Sequence, residues 1–449
     1  SDVVYGPFWF EGPDFKTKHE IFPPKPQNKE GYADHFFAWV YDFDADGWKD
    51  VFVVGFPGTP AYVYQNPGKK TGGSSTAHWK KHQVFDWVSN ESPQWIQLVG
   101  DDKPELVCTR DGFFGYTTID WSKPFSEWKF VAVSPQVTDK KFGHGLGIGD
   151  INNDGRLDII HSKGWLEQPA TLSESKPWRS HEASFSNAYG GAEMYAYDVD
   201  GDGDNDVITS LAAHDFGLAW YEQKKDQGES SFVRHDIIGK RPEDNRYGVV
   251  FSELHSVNLA DIDGDGLKDI VTGKTYYSHH KQSPMWDKGA VVYWFKLVRT
   301  AEGVDWLPFK AAEDCGIGRQ LTIQDINGDK LPDFVLGGMK GAHVVTHKRN
   351  TVDEATWKSA QPIKFAPTTP PVSANGQAFE GEKLRVARIT GGSASPQAMG
   401  GFSADRWSDD SHLWWTGGKP GDRLELEFPV ATEGKYDLLI TLTKASDYG

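Results

Sequence analysis

The chain has 449 residues and a net charge of −17, from 47 Lys+Arg against 64 Asp+Glu, with 25 % charged and 38 % hydrophobic residues. That balance excludes a disordered chain and argues against a nucleic-acid partner. No apolar run approaches the ~20 residues of a membrane span. The two cysteines, Cys108 and Cys315, exclude a disulfide framework or a CxxC site, and 48 Gly with 25 Pro point to turn-rich β structure.

In chain order, Asp2 to Glu11 and Lys18 to Ile21 read as three short strands. An acidic loop follows, Asp42-Phe-Asp44-Ala-Asp46-Gly47-Trp-Lys-Asp50, between strand signals at Phe37 to Tyr41 and Val51 to Val54. Gly100 to Glu105 is a shortened form, between Trp95 to Val99 and Leu106 to Cys108. Full copies return as Asp150-Ile-Asn152-Asn-Asp154-Gly155-Arg-Leu-Asp158, Asp198-Val-Asp200-Gly-Asp202-Gly203-Asp-Asn-Asp206 and Asp261-Ile-Asp263-Gly-Asp265-Gly266-Leu-Lys-Asp269. The fifth is Asp325-Ile-Asn327-Gly-Asp329-Lys330-Leu-Pro-Asp333, with Lys330 in the glycine place. Each full loop lies between two strand signals, and a third strand follows, as at Trp165 to Gln168 and Trp220 to Gln223. A fourth carries Trp/Phe-x-x-His at Trp79/His82, Trp178/His181 and Phe232/His235.

Oxygens at positions 1, 3, 5 and 9, with a carbonyl at 7, can wrap a hard cation, and glycine at 6 lets the backbone turn. The reading is therefore about five calcium sites, against the plainer one of solvated acidic turns without metal. Four strands per unit make a propeller blade. Loop starts 48, 63 and 64 residues apart, with a gap of 108 that holds the shortened copy, give six marked units. The amino-terminal strands add an incomplete one, so the expected fold is an all-β, seven-bladed β-propeller over residues 1–361. The repeated outer histidines, His19, His82, His181 and His235, are expected to serve blade packing.

These repeats resemble the FG-GAP/VCBS propeller repeats of integrin α-subunits and many secreted bacterial proteins, over roughly residues 1–360. The resemblance implies the fold and leaves adhesion, carbohydrate lysis and scaffolding open. In organisation the chain is also similar to the propeller of the aldos-2-ulose dehydratases, sugar-acting lyases with a metal site in the propeller and β domains behind it. No catalytic motif transfers residue by residue.

A connector, residues 362–373, leads to a second domain, 374–449, whose alternating strands read as an incomplete, jelly-roll-like β-sandwich resembling carbohydrate-binding accessory modules. Trp407, Trp414 and Trp415 offer a sugar platform, although adjacent Trp414 and Trp415 should face opposite ways, which would put at least one in the core. The chain starts inside a repeat and stops just after a strand, so both ends read as cut.

If the metal loops lie at one rim, residues before the first strands and after the second strands gather at the other, around the channel. His144 and His255 each stand six residues before their loop, and Arg319 shares that register. Glu193 and His35 are one residue out. After second strands come Arg110, His161, His214 and Lys274, then Tyr276, Tyr277, His279 and His280. His144, Glu193 and His255 are the candidate ligands of a channel metal, zinc or another divalent ion. Arg319, His214 and Tyr277 complete a candidate catalytic set that would acidify and remove a proton beside a sugar carbonyl. Against this stands a channel merely plugged by hydrogen-bonded side chains.

The expected function is a carbohydrate-active carbon–oxygen lyase or dehydratase, eliminating across an oxidised sugar or uronide. The alternative is a non-catalytic, calcium-stabilised sugar-binding, adhesion or scaffold propeller. The partner in either case is a carbohydrate; the oligomeric state is left open. Weak calcium sites suit millimolar calcium, which favours an extracellular, periplasmic or cell-surface setting with a signal peptide removed.

Overall fold

The computed structural model describes residues 1–28, 30–68, 78–136, 141–173, 176–187, 190–226, 229–277, 281–313, 315–365, 378–399, 407, 410–436, 438, 440 and 442. The chain divides into two compact units, residues 1–239 with 244–364, and 240–243 with 365–449. The architecture is all-β, built of several small sheets.

The first unit runs through seven consecutive groups of antiparallel strands. The first is Val3–Tyr5, Phe8–Phe10 and Lys18–Glu20. The second is Phe37–Tyr41, Asp50–Val54, Thr59–Gln65 and Lys80–Val88. The third is Gln94–Ile96, Glu105–Arg110, Phe113–Thr118 and Lys129–Ala132. Leu146–Gly149, Asp158–His161, Gly164–Glu167 and Arg179–Glu182 form the fourth. Glu193–Tyr197, Asp206–Ser210, Leu218–Asp226 and Glu229–Ile238 form the fifth. Val257–Ala260, Asp269–Lys274, Val291–Thr300 and Gly303–Glu313 form the sixth, and Leu321–Gln324, Asp333–Gly338 and Gly341–Val345 the seventh. Parallel pairing of Leu146 with Glu193 joins the fourth and fifth groups into one eight-stranded sheet. Each acidic loop thus connects the first and second strands of its group, as the flanking apolar runs foretell.

Second strands such as Asp50–Val54, Asp158–His161 and Asp206–Ser210 are buried along their whole length. Such continuous apolar runs belong to strands covered on both faces, and core clusters accordingly draw on successive groups: Ile208, Trp220, Ile270 and Phe295 share one. His82 stacks on Phe125 and lies 3.1 Å from Gln65, and the other three outer histidines pack on an aromatic of the adjacent strand. His19 stacks on Trp9, His181 on Trp165 and His235 on Trp220, with ring centroids 3.9–4.4 Å apart. Each also reaches a carboxylate on its own sheet, His181 Nε2 lying 2.7 Å from Glu167.

The loops fold alike. In the first, second, fourth and fifth, the position-1 aspartate accepts the amide of residue 6 at 2.8–3.0 Å, including that of Lys330. Lys330 adopts φ +66°, so it takes the left-handed turn that glycine takes elsewhere, at some steric cost. The ninth aspartates, expected as ligands, also bind the backbone. One oxygen of each accepts the amide of residue 2 of its loop at 2.8–3.1 Å. The other accepts an amide in or just beyond the third strand, at 2.7–2.9 Å. Asp50, Asp158, Asp206, Asp269 and Asp333 therefore act as buried cross-links between loop and sheet. In the shortened copy Glu105 takes this place, accepting from Leu98 at 2.7 Å.

First and last groups touch. Tyr5 Oη donates to Gly338 O at 2.6 Å and the Ser1 amino group to Ile326 O at 3.0 Å. The Gln320 carboxamide exchanges two hydrogen bonds with the Ala38 backbone, at 2.9 and 3.1 Å, as a neighbouring strand would.

In the second unit Arg385–Ile389 pairs with Leu424–Glu427, and Ser393–Ala398 with Ser411–Thr416. Trp414 and Trp415 are both exposed, at 39 % and 37 %. The expected burial of one of them is absent. Most of the 362–373 connector and the end of the chain lie outside the described residues.

Candidate metal centre

Short backbone bridges place the polar residues that precede first strands. Asn90 pairs in parallel with Gly143. Glu91 N donates to Gly143 O and Phe142 N to Ser89 O, both at 2.8 Å, setting Glu91 beside His144. Behind His144 the chain packs on bare backbone: a Cβ at Gly190 would meet His144 O at 2.1 Å, and one at Gly191 would meet Ser210 O at 1.7 Å. Across the site Thr275 N donates to Glu253 O at 3.3 Å, just beyond the second strand of the sixth group.

These elements bring together His144, His214 and His255, one ring nitrogen of each lying within 4.8 Å of the others. The ring centroids are 4.8 Å apart for His144 and His214, 4.9 Å for His214 and His255, and 6.1 Å for His144 and His255. His144 Nδ1 is buried with no hydrogen-bond partner among the described residues. A three-imidazole donor set fits zinc or a similar borderline divalent ion, and a buried ring nitrogen with nothing to bind is what such an ion would satisfy.

Carboxylates back the imidazoles. Glu91, 6 % exposed, lies 3.5 Å from His144 Nε2 and 2.6 Å from the Arg319 guanidinium. Burial acts to raise its pKa, but Arg319 and His144 outweigh this and hold it down at about 2. Glu253 is fully buried with its Oε2 3.4 Å from His255 Nδ1, and its φ of +67° is a strained backbone for a glutamate. Carboxylates in this position fix the orientation and raise the basicity of a metal-binding imidazole. Lys274 is buried beside them and donates to Thr275 O at 3.0 Å; burial lowers its pKa, opposed by the charge of Glu253.

Of the residues expected here, His144, His214 and His255 meet, and Arg319 joins through Glu91. Glu193 does not. It opens the strand Glu193–Tyr197, and its carboxylate turns inward to accept the Val257 amide at 2.8 Å, with burial raising its pKa to about 7. Its one-residue offset from the histidine register is the physical reason, and His214 stands in the cluster instead. Tyr277 donates to Glu30 Oε1 at 2.5 Å. His161 stacks on Phe114 at 4.8 Å, His35 packs on Phe22 at 4.9 Å, and Arg110 pairs with Asp86. His279 and His280 lie outside the described residues. Sequence reasoning passed over Glu91 and Glu253, although Glu253 stands two residues before His255 and Glu91 just before the first strand of the third group.

The acidic loops divide by their third residue. Asp42/Asp44/Asp46, Asp198/Asp200/Asp206 and Asp261/Asp263/Asp265 bring carboxylate oxygens within 4.8 Å of one another. Asn152 and Asn327 stand at that place in the other two loops. In the fourth loop Lys296 pairs with both Asp263 and Asp265, an internal cation where a metal would sit.

No protein-family model matches the chain, and neither does any curated protein. Solved structures give partial likenesses. A lectin of Agrocybe aegerita, described for specific recognition of non-reducing terminal N-acetylglucosamine, is 15 % identical with a TM-score of 0.36, covering 68 % of this chain and 85 % of its own. BBS1N in complex with ARL6DN, soaked with mercury, is 10 % identical with a TM-score of 0.37, covering 70 % and 79 %. At these scores the likeness assigns neither family nor function.

Proposed function

We propose that residues 1–361 form a seven-bladed, calcium-stabilised propeller that binds a carbohydrate at a divalent metal centre on its rim, with a carbohydrate-binding-like domain in 374–449. The observation that carries the reading is the convergence of His144, His214 and His255, backed by Glu91 and Glu253. Repeated loops and packed blades need no such single, unrepeated cluster. The contacts of Tyr5 and Ser1 between first and last groups, and of Gln320 with Ala38 of the second group, support closure into a ring. Calcium in the acidic loops is supported by the carboxylate clusters of the first, third and fourth, and by 19 carboxylates across five loops, more than the net charge of −17.

A second reading, elimination at the same centre, is favoured by the buried Lys274 beside Glu253. A bound divalent cation would supply Lewis acidity toward a carbonyl or carboxylate oxygen. The chain's own part would be to hold that oxygen through Arg319, to place Lys274 as the acceptor of the adjacent C–H proton, and to exclude water. The C–H electron pair would form the double bond as the C–O bond at the next carbon breaks, and the leaving oxygen would take back the proton just abstracted, departing as a hydroxyl.

The test is metal content and cobalt(II) spectroscopy of the full chain. One tightly held transition-metal equivalent, lost in His214→Ala and kept in His161→Ala, is expected. A wild-type chain that retains only calcium sinks the metal centre. Formation of an unsaturated product from a uronide separates the lyase from the binding protein.

A further inference from the structure

Four aromatic rings pack together beside the charged groups that back the histidine cluster. Tyr32 and Phe56 have centroids 5.2 Å apart, Phe56 and Phe142 5.4 Å, and Phe36 sits 5.7 Å from Phe56. The outer two are open, Tyr32 at 44 % and Phe142 at 46 % exposure. The wall runs directly into the polar site. Phe142 is two residues from His144 and is tied by its amide to Ser89, two residues from Glu91. The Arg319 guanidinium lies 5.5 Å from the Phe36 centroid, and the charges of Arg319, Glu91 and Glu253 all reach the Tyr32 hydroxyl.

Phe142 has φ +65°. A bulky side chain in the left-handed region is strained, and here the ring gains little burial in return. Strain of that kind without packing to offset it points to a task for the ring itself.

We propose that Tyr32, Phe56 and Phe142 form an aromatic wall that seats one sugar ring against the histidine cluster; this rests on the carbohydrate-binding reading above. A pyranose presents an apolar C–H face and a polar rim. Those two surfaces match an aromatic cluster, its rings inclined at 46° and 71° so that one face or edge can meet the sugar, that ends at imidazoles, a guanidinium and carboxylates. A purely apolar occupant would leave the buried charges of Glu91 and Arg319 facing hydrocarbon, and a purely ionic one would leave the rings wet.

The test is calorimetric titration of the full chain, loaded with cobalt(II), with D-glucuronate and with D-glucose. Phe142→Gly removes the ring and relieves the strain, so its melting temperature should stay level or rise. Its affinity for sugar should fall about tenfold, a typical stacking contribution, with cobalt stoichiometry unchanged. Tyr32→Ala should weaken binding in the same direction. Unchanged affinity in both variants overturns the wall. So does a wild-type chain that loads cobalt but binds neither sugar, which leaves the metal centre standing. Sugar binding that falls in Phe142→Gly in a chain unable to load cobalt keeps the wall and sinks the metal centre.

Discussion

The ninth aspartates make the sharpest test of how the acidic loops work, because each binds two backbone amides as well as belonging to its loop. Asp206 is 1 % exposed; its Oδ2 accepts the Val199 amide and its Oδ1 the Gln223 amide, each at 2.8 Å. Asp206→Asn keeps the shape but leaves one acceptor oxygen, so an N–H of the new side chain must face a backbone N–H. One charge-assisted hydrogen bond is lost, ~1.5–3 kcal/mol, and one buried amide is left unsatisfied, ~1–3 kcal/mol. These losses are opposed at pH 8 by the burial of the Asp206 charge, which asparagine escapes, so the net destabilisation falls below their sum of about 3–5 kcal/mol. Asp200→Asn is the control. Its Oδ1 accepts the Asp202 amide at 3.1 Å, and Asn152 does the same for Asp154 at 3.1 Å in the second loop. That variant should cost under ~0.5 kcal/mol without metal and weaken calcium binding. Urea unfolding followed by tryptophan fluorescence, in chelator at pH 8, reads both; the pH matters because burial raises the Asp206 pKa to about 7. If Asp206→Asn unfolds within 1 kcal/mol of wild type, or Asp200→Asn loses as much, the cross-link account is wrong.

Chelation should lower the melting temperature of the native chain and added calcium restore it, since an ion that binds only the folded loops stabilises them by linkage; a scan insensitive to both rejects calcium in the loops. Lys296→Met, which removes the ammonium between Asp263 and Asp265, should raise calcium affinity at the fourth loop, measured by titration against the unchanged chain. Glu91→Gln should destabilise by roughly 3 kcal/mol near neutrality, from a pKa held at about 2 against 4.5 unfolded. Because the folded value is depressed, that contribution is present above about pH 4.5 and is lost as pH falls toward 2. The gap between wild type and variant should close over that window in acid-unfolding curves, and a gap independent of pH would refute it.

What the sequence made legible follows from how local each signal is. A loop such as Asp261 to Asp269 writes its turn and both flanking strands within a dozen residues, because position 1 must meet residue 6 and position 9 must meet residue 2. The strand order within each group was readable for the same reason. That the ninth aspartate is a cross-link was hidden, since its second partner, Leu297 for Asp269, lies in a strand 28 residues on and any residue there supplies an amide. The site divides in the same way. His144 and His255 are found by counting back from their loops, and His214 lies just past its strand. Glu193 shares almost that count, yet a single residue moves its side chain from the cluster to the Val257 amide, because successive strand residues face opposite sides. Glu91 escaped because its group carries only the shortened loop and offers no aspartate to count from. Nothing in the sequence near Phe142 or Glu253 announces a positive φ, for neither is glycine; that strain is imposed by long-range pairing, such as the Asn90 to Gly143 bridge. Glu91, Glu253 and Phe142, which local rules fail to forecast, all lie at or beside the candidate centre, as expected where a fold gives up local preference to hold a site.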